Sequence, residues 1–502
     1  MRLLLCLFLT CAAVALGATP AKPNVVVFIT DDESWMERSI YGWANVATPN
    51  FDRVAREGVL FTRGFTSAPS CAPSRAALLT GRNFWELEQG AFIQAWLPAK
   101  FRTLPDLMEA GGYRAGYSGK GWGPGVVSAE TGRTRNPAGD VYNGIKRAER
   151  KPGINAIDYP ANLAKFMDER PARTPFWFWV GSTEPHSPHD KDNYKKLAAE
   201  HGVTEDQMKV PEFLPNTPGV RRQRANFFYE VCQADRDLGR VLTILEERGE
   251  LANTLLIVTA DNGTEVLRSK TNLYDWGLRV PLAIMWPAQA KPGRTVDDFV
   301  NFADLAPTML EAAGLPVPKE MSGRSLIDVL RSDKSGRVDL QRSWTAAGIE
   351  WHGEAAPPSL AGRMIRDERY LYIVNYSDAP RRPSDPKKQL PDSDYARTIR
   401  TDDEIGLVVK HPNHPQVKRF VELYVSPRPR EELYDSETDP WQLKNLADSP
   451  AHASVKAKLK GQLEAYQRQT ADPRITGKME IFDQTRAYVL NRKFGEGGYA
   501  EK

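Results

Sequence analysis

The chain alternates short unbroken apolar runs with longer stretches in which apolar residues recur every three or four positions. Val25-Val26-Val27-Phe28-Ile29 is continuous, as in a strand buried on both faces of a parallel sheet. Similar runs occupy 176–180 and 255–258, and helical spacing through Phe228, Val231, Leu238, Val241 and Leu245, ending near Gly249, precedes the second. Another helix is predicted behind Thr48 as its cap, with Pro49 at its first position, Phe51, Val54 and Ala55 on its buried face and Gly58 as its stop. This alternation from Pro23 to about Gly314 predicts an α/β domain, a large, mostly parallel central sheet flanked by helices. Past about Arg342 the pattern breaks into Pro-rich and charged stretches, notably 379–388, with strands at 370–374 and around Glu432-Leu433-Tyr434-Asp435 and an amphipathic helix over 451–466. A smaller C-terminal α+β domain follows from this, with the division placed at 23–345 and 346–502.

Met1-Arg2, an apolar run from Leu3 to Leu16 and the small residues Gly17 and Ala18 make residues 1–18 a secretory signal peptide. The run is shorter than the roughly 20 residues that span a bilayer. The expectation is an exported protein, periplasmic or extracellular, or lysosomal in a eukaryote, without stable membrane insertion. Of the 4 cysteines, Cys6 and Cys11 fall in this segment, so Cys71 and Cys232 remain and no disulfide framework is expected. Cys232 sits in helical spacing and reads as a core residue, whereas Cys71 lies among Ser, Pro and Arg with no apolar periodicity to bury it. With 502 residues, 41% hydrophobic and 26% charged, the chain is globular with room for two or three domains. Lys and Arg number 67 against 64 Asp and Glu, a net +3 that gives no general attraction to nucleic acid, so any acidic ligand must be held by a local cluster.

Each apolar run ends at a polar cluster: Asp31-Asp32, then Glu184-Pro185-His186, then Asp261-Asn262-Gly263. Ligands of open α/β sheets bind outside the carboxyl ends of the strands, so the three clusters are expected to share one site. Cys71-Ala72-Pro73-Ser74-Arg75, followed by Ala76-Ala77-Leu78-Leu79-Thr80-Gly81, forms a short helix with Cys71 at its N-terminus. Free N–H groups and the helix dipole there favour an anion, which predicts a reactive thiol or an anion site.

This segment, C-x-P-S-R and then A-x-L-L-T-G, resembles the signature of the sulfatases, in which the cysteine is oxidised after translation to formylglycine. The resemblance runs over nearly the whole mature chain and implies an alkaline phosphatase-like fold. It also implies a formylglycine-generating enzyme as maturation partner, which in such proteins reads Pro73 and Arg75. Asp31, Asp32, Asp261 and Asn262, with residue 71, correspond to the sulfatase metal site. Hard oxygen ligands suit Ca²⁺ or Mg²⁺ rather than zinc, and the resemblance favours one Ca²⁺. Lys120 after Gly119, His186, and Lys270 in a segment similar to the sulfatase K-x-x-L-Y-x-x-G-x-R-V-P pattern complete the set. By resemblance, hydrated formylglycine attacks sulfur, Arg75, Lys120 and Lys270 stabilise the sulfate charge, His186 is the general acid, and the sulfated intermediate collapses to the aldehyde.

One position departs from the pattern: many sulfatases carry a histidine two residues after the lysine, credited with helping the second half-reaction, and this chain has Trp122. His189, His352 or a water could substitute, and His352, in Glu350-Trp351-His352-Gly353-Glu354, is a candidate substrate contact or a surface histidine. Within the family, Val210 to Pro218, Thr271-Asn272-Leu273-Tyr274 and Thr470-x-Asp472-Pro473 look most like the sulfamidases, the heparan N-sulfatases, while Lys270 and Trp122 replace an arginine and a histidine usual there. The expected substrate is a sulfated saccharide, N-sulfoglucosamine of heparan type, with an O-sulfatase on a glycosaminoglycan or other polysaccharide as the alternative. A phosphatase of the same superfamily would place Ser or Thr at the nucleophile and add His-rich zinc ligands, whereas this chain has 7 His. An inactive glycan-binding protein is the reading of a different class, motivated by Trp122 and by 12 Trp and 17 Tyr that could stack on sugars. Asn375-Tyr376-Ser377 matches a glycosylation triplet, as does Asn262 to Thr264, though a glycan there would block the metal site.

Overall fold

The computed structural model describes residues 22–352, 361–376, 418–425 and 428–491; the expected signal peptide, 1–18, and the Pro-rich stretch 379–388 lie outside them. The strands, in chain order, are β1 (Asn24–Thr30), β2 (Val59–Phe65), β3 (Arg114–Gly119), β4 (Asp140–Val141), β5 (Phe176–Gly181), β6 (Thr254–Ala260), β7 (Leu282–Met285), β8 (Arg294–Asn301), β9 (Trp344–Ile349), β10 (Gly362–Asp367), β11 (Tyr370–Asn375) and β12 (Glu431–Asp435). The first eight form one sheet in the order β4-β3-β5-β1-β6-β7-β2-β8. Its pairings are parallel except those of β7, which runs antiparallel to both β6 and β2. The last four make an antiparallel sheet in the order β12-β11-β10-β9.

β1 is buried at every position, and its side chains alternate between two apolar layers. Val25, Val27 and Ile29 join Trp177 and Trp179 of β5 on one face; Val26 and Phe28 join Phe176, Phe178 and Val180 on the other. The second layer is closed by Leu238, Val241, Leu242 and Leu245 of the Pro218–Glu247 helix. That helix also holds the Pro49–Glu57 helix in place, since the Asp235 carboxylate accepts the backbone N–H groups of Asn50 and Phe51 at 3.0 and 2.9 Å. Thr48 does occupy the cap position, but its side chain caps nothing and bonds Ser39 instead, so the cap comes from a distant element.

The first apolar layer continues into the second sheet through Ile365, Tyr372 and Leu433, and takes in Leu459 and Leu463 of the Ala453–Gln469 helix. β9 is tied to the end of β8 by the Asn301 amide, which donates to the Ala346 carbonyl at 3.0 Å. Eight of the 12 tryptophans are buried and none is fully exposed, so the aromatic residues serve as core rather than as a surface stacking platform. Asn375 is also buried, its amide donating to Pro429 and Glu432 at 2.8 Å, which removes it as a glycan acceptor. Among the described residues no helix is long and apolar enough to cross a membrane.

Candidate active site

β3, β5, β1 and β6 are neighbours in the sheet and parallel, so their carboxyl ends lie side by side. Backbone bonds continue past the strand ends, from Lys120 N–H to Gly181, Ser182 N–H to Ile29, and Asp261 N–H to Thr30, at 2.8, 2.9 and 3.0 Å. These bonds set Lys120, Asp31-Asp32 and Asp261-Asn262 in one row, with His186 on the loop after β5. Asp32 adopts a left-handed backbone, φ 66°, and its N–H donates to the Asp261 carboxylate at 3.1 Å. The Asp261-Asn262-Gly263 turn meets the Lys270 segment so closely that a Cβ on Gly263 would stand 1.9 Å from the Trp276 carbonyl oxygen.

The Cys71–Thr80 helix follows β2 and is buried along its whole length, with Gly81 closing it at φ 67°. Cys71 is 1% exposed, so the absence of apolar periodicity misleads about its burial. Its thiol lies 3.6 Å from Asp31 Oδ1 and 3.9 Å from Asp32 Oδ1. Burial pushes the Cys71 thiol well up, Lys120 and Lys270 oppose this, and Asp261 and Asp31 add to it. Burial thus disfavours the thiolate, while the two lysines supply the positive charge that an anion at this position would meet.

Ligand atoms of Asp31, Asp32, Cys71 and Asp261 all fall within 4.8 Å of one another. The Asn262 amide donates to Asp32 Oδ1 at 2.7 Å, while its buried Oδ1 has no hydrogen-bond partner and is a spare oxygen ligand beside the carboxylates. Burial raises the Asp261 pKa to about 6, with Asp31 adding to the rise and Arg75 opposing it. Carboxylates that crowd a buried site, with an orphaned amide oxygen among them, fit a hard divalent cation such as Ca²⁺.

The cations are each committed to this cluster. Arg75 Nε donates to Asp261 Oδ2 at 2.8 Å, and Nη1 donates to the carbonyls of Lys120 and Gly121 at 2.8 and 3.0 Å. Lys120 Nζ meets Asp31 Oδ2 and Lys270 Nζ meets Asp32 Oδ2, both at 2.6 Å. Burial alone would raise Asp31, yet Lys120, His186, Arg75 and Lys270 hold its carboxyl well below the usual range. His186 Nε2 lies 3.6 Å from Asp32 Oδ2, and its Nδ1 bonds the Ser187 carbonyl. Burial and Lys270 push His186 down, but Asp32, Asp31 and Glu265 outweigh them and leave its pKa above the ordinary value. A protonated Nε2 at the cluster suits a general acid. Three carboxylates facing Arg75, Lys120 and Lys270 nearly balance, so a divalent cation added to them leaves a pocket with net positive charge for an anion.

Trp122, where the family pattern has a histidine, is fully buried and its indole N–H donates to the Ala72 carbonyl at 3.1 Å. It braces the cysteine helix through that bond, and its indole offers no proton acceptor. His189 turns away, its Nε2 bonded to the Pro185 carbonyl at 2.8 Å and its ring packed on Phe227. His352 comes to the site from the end of β9, with Nδ1 2.8 Å from the Ser70 hydroxyl. Glu265, which sequence reasoning did not single out, accepts a short hydrogen bond from Ser187 and groups with Asp32 and His186. Its spacing of three residues from Asn262 is the one signal that could have found it. The Ser74 hydroxyl, within the C-x-P-S-R motif, donates to the Asp261 carbonyl at 2.5 Å and ties the helix to the Asp261-Asn262 turn.

Residues 23–315 match the protein family described as sulfatase, and residues 265–382 match the family described as N-sulphoglucosamine sulphohydrolase, C-terminal. The chain is 29% identical to human N-sulphoglucosamine sulphohydrolase, covering 93% of this chain and 95% of that protein. It is 28% identical to an ulvan-active sulfatase of Formosa agariphila, over 88% of this chain and 79% of the relative. Among solved structures, one in complex with its substrate D-glucosamine-2-N,6-O-disulfate superimposes with a TM-score of 0.61 at 20% identity, covering 90% of this chain and 98% of that one.

Proposed function

The chain belongs to the sulfatase family, and from that premise we propose that it hydrolyses the N-linked sulfate of a heparan-type N-sulfoglucosamine after export from the cell. The observation that carries the reading is the convergence of Asp31, Asp32, Asp261 and the unpartnered Asn262 oxygen with Arg75, Lys120 and Lys270 around residue 71. Asp31, Asp32, Asp261 and Asn262 would hold a Ca²⁺, and residue 71 would carry the formylglycine. Together these groups supply, when present, an oxygen nucleophile and a Lewis acid for the sulfuryl group. Lys120, paired with Asp31, and Lys270, paired with Asp32, would bind the sulfate oxygens. Arg75, pinned through three hydrogen bonds, opposes the upward push of burial on Asp261 and keeps it in register. His186 holds a proton on Nε2 for the departing nitrogen, which as a free amide anion would be a poor leaving group. Burial of these side chains excludes water and strengthens each charge interaction.

Support for the sulfamate over the ester comes from the match of residues 265–382 and from the relative that covers 93% of the chain. A second reading, an O-sulfatase on a polysaccharide, is favoured by the ulvan-active relative and by Lys270 and Trp122, which depart from the sulfamidase pattern. The test is sulfate release from N-sulfoglucosamine and from glucosamine 6-sulfate by protein co-expressed with a formylglycine-generating enzyme, with mass spectrometry of the peptide containing residue 71. Selective release from the N-sulfo sugar is expected. Selective release from the 6-sulfate would replace the sulfamidase reading, and an unmodified Cys71 alongside full activity would remove the formylglycine.

A further inference from the structure

The departure at Trp122 removes the histidine that the family pattern would offer as proton acceptor in one step, and the carboxylates nearest residue 71 are those that would hold the cation. In the reading above, on which this inference rests, residue 71 passes through a hydrated aldehyde with one oxygen esterified by sulfate. Release breaks the carbon–oxygen bond to sulfate, whose electron pair leaves with it. The O–H pair of the remaining hydroxyl becomes the second bond of the carbonyl, and its proton must go to a base. Lys120 and Lys270 are held in ion pairs, His189 is bonded to a carbonyl, and Trp122 donates rather than accepts.

We propose that His352 is the second histidine of this site, taking that proton through the hydroxyl of Ser70. Ser70 precedes residue 71 and stands at the N-cap of the Cys71–Thr80 helix with extended backbone, φ −160° and ψ 132°. A serine there ordinarily accepts a helix N–H, yet its side chain makes no capping bond. Its buried hydroxyl lies instead 2.8 Å from His352 Nδ1. Ser70 donates its own proton to Nδ1 as it receives the one released at residue 71. The products are the aldehyde, free sulfate and an imidazolium, which returns its proton to water when the aldehyde is rehydrated.

The loop that carries His352 is held for this task from the C-terminal end of the chain. Glu350, two residues earlier, pairs with Arg363 at 2.7 Å and with Arg474 at 2.5 Å. Arg363 is fully buried and also binds Asp472 through two nitrogens at 2.6 and 2.8 Å. Thr470 accepts from the Trp85 indole at 3.1 Å, fastening the other end of the Thr470-x-Asp472-Pro473 element to the residues just past the cysteine helix. Glu350, Arg363, Asp472 and Arg474 are thus positioning residues for His352.

The test compares wild type, His352→Ala, His352→Asn and Ser70→Ala, all matured to the same formylglycine content, with 4-nitrophenyl sulfate and N-sulfoglucosamine as substrates. Asparagine retains an acceptor for the Ser70 hydroxyl but takes up no proton, so it separates chemistry from positioning. The expected result is a steady-state loss of about 10²–10⁴-fold in all three variants. Intact mass spectra of acid-quenched samples should then show the variants, and not wild type, carrying one added SO₃ on the peptide of residue 71. Wild-type rates in His352→Asn, or slowed variants with no adduct, would overturn the relay. A wild type that contains formylglycine but releases sulfate from neither substrate would overturn the underlying reading instead.

Discussion

Asp261 carries the clearest pH signature at the level of single residues. Burial, with Asp31 adding, raises its carboxyl to about 6 when no cation is present. A folded pKa above the unfolded one means the folded chain binds this proton more tightly. Its contribution to stability is therefore complete below the ordinary pKa of 3.8 and is lost as pH rises through about 6. A divalent cation replaces the proton and reverses the loss. Thermal melts should accordingly show a gain in Tm on adding Ca²⁺ that is large at pH 7.5 and small at pH 5, measured against the same protein in chelator. An equal gain at both pH values would mean the cation is not held by Asp261. The residue scale also shows what a pattern of apolar and polar positions conveys badly. Asp31-Asp32, Asp261-Asn262, Lys120, His186 and Lys270 announce themselves because each sits where a strand ends or within a recognisable segment. Ser70 and Glu265 do not, since a buried serine or glutamate in a loop has the same local context as a solvated one.

Among the elements, the turn after β6 is tightly constrained at two glycines. Gly263 lies against the Trp276 carbonyl and Gly277 against the Ser269 carbonyl, where added Cβ atoms would come to 1.9 and 2.3 Å. Gly263→Ala must push the Asp261-Asn262 turn away from the Lys270 segment. The expected outcome is a loss of about 1–3 kcal/mol in stability together with a Ca²⁺ affinity at least tenfold weaker by calorimetric titration. Stability lost with unchanged affinity would show that the turn moves without its ligands. β1, β5, β6 and the long helix were readable in advance because runs buried on both faces and a one-sided helical stripe have different periods. β7 was not, because antiparallel insertion into a parallel sheet depends on partners far away in the chain and leaves no local mark. The cysteine helix misled on burial for a related reason: it is enclosed on every side, so it has no apolar stripe, and its arginine is neutralised internally by Asp261 and Asp31.

Taken whole, the molecule has two sheets but shares an apolar cluster between them, running from β1 through Ile365 and Leu433 to the Ala453–Gln469 helix. The C-terminal region is thereby joined to the catalytic sheet both by packing and by the Arg363 ion pairs. Asp472→Ala leaves the buried Arg363 with Glu350 as its remaining carboxylate, at a cost of about 3–5 kcal/mol. Scanning calorimetry should show the entire transition moving to lower temperature, and an early, separate transition for the C-terminal region would contradict the shared core. The near-balanced net charge of +3 fits the same picture, since in the proposed function affinity for a sulfated ligand would be concentrated in a few buried cations instead of spread over the surface.

The enclosure of Cys71 also bears on the order of events in biosynthesis. A side chain 1% exposed, in a helix buried from end to end, cannot enter the active site of another enzyme without unfolding of the segment around it. Under the proposed function, conversion of residue 71 would therefore compete in time with folding, and the window would close when β2, the cysteine helix and β6 dock. Chain that is refolded to completion before a formylglycine-generating enzyme is added should remain a thiol, while chain exposed to the enzyme during refolding should be converted. Slowing collapse, for instance with a little denaturant, should then increase the yield of mature protein even as it delays folding.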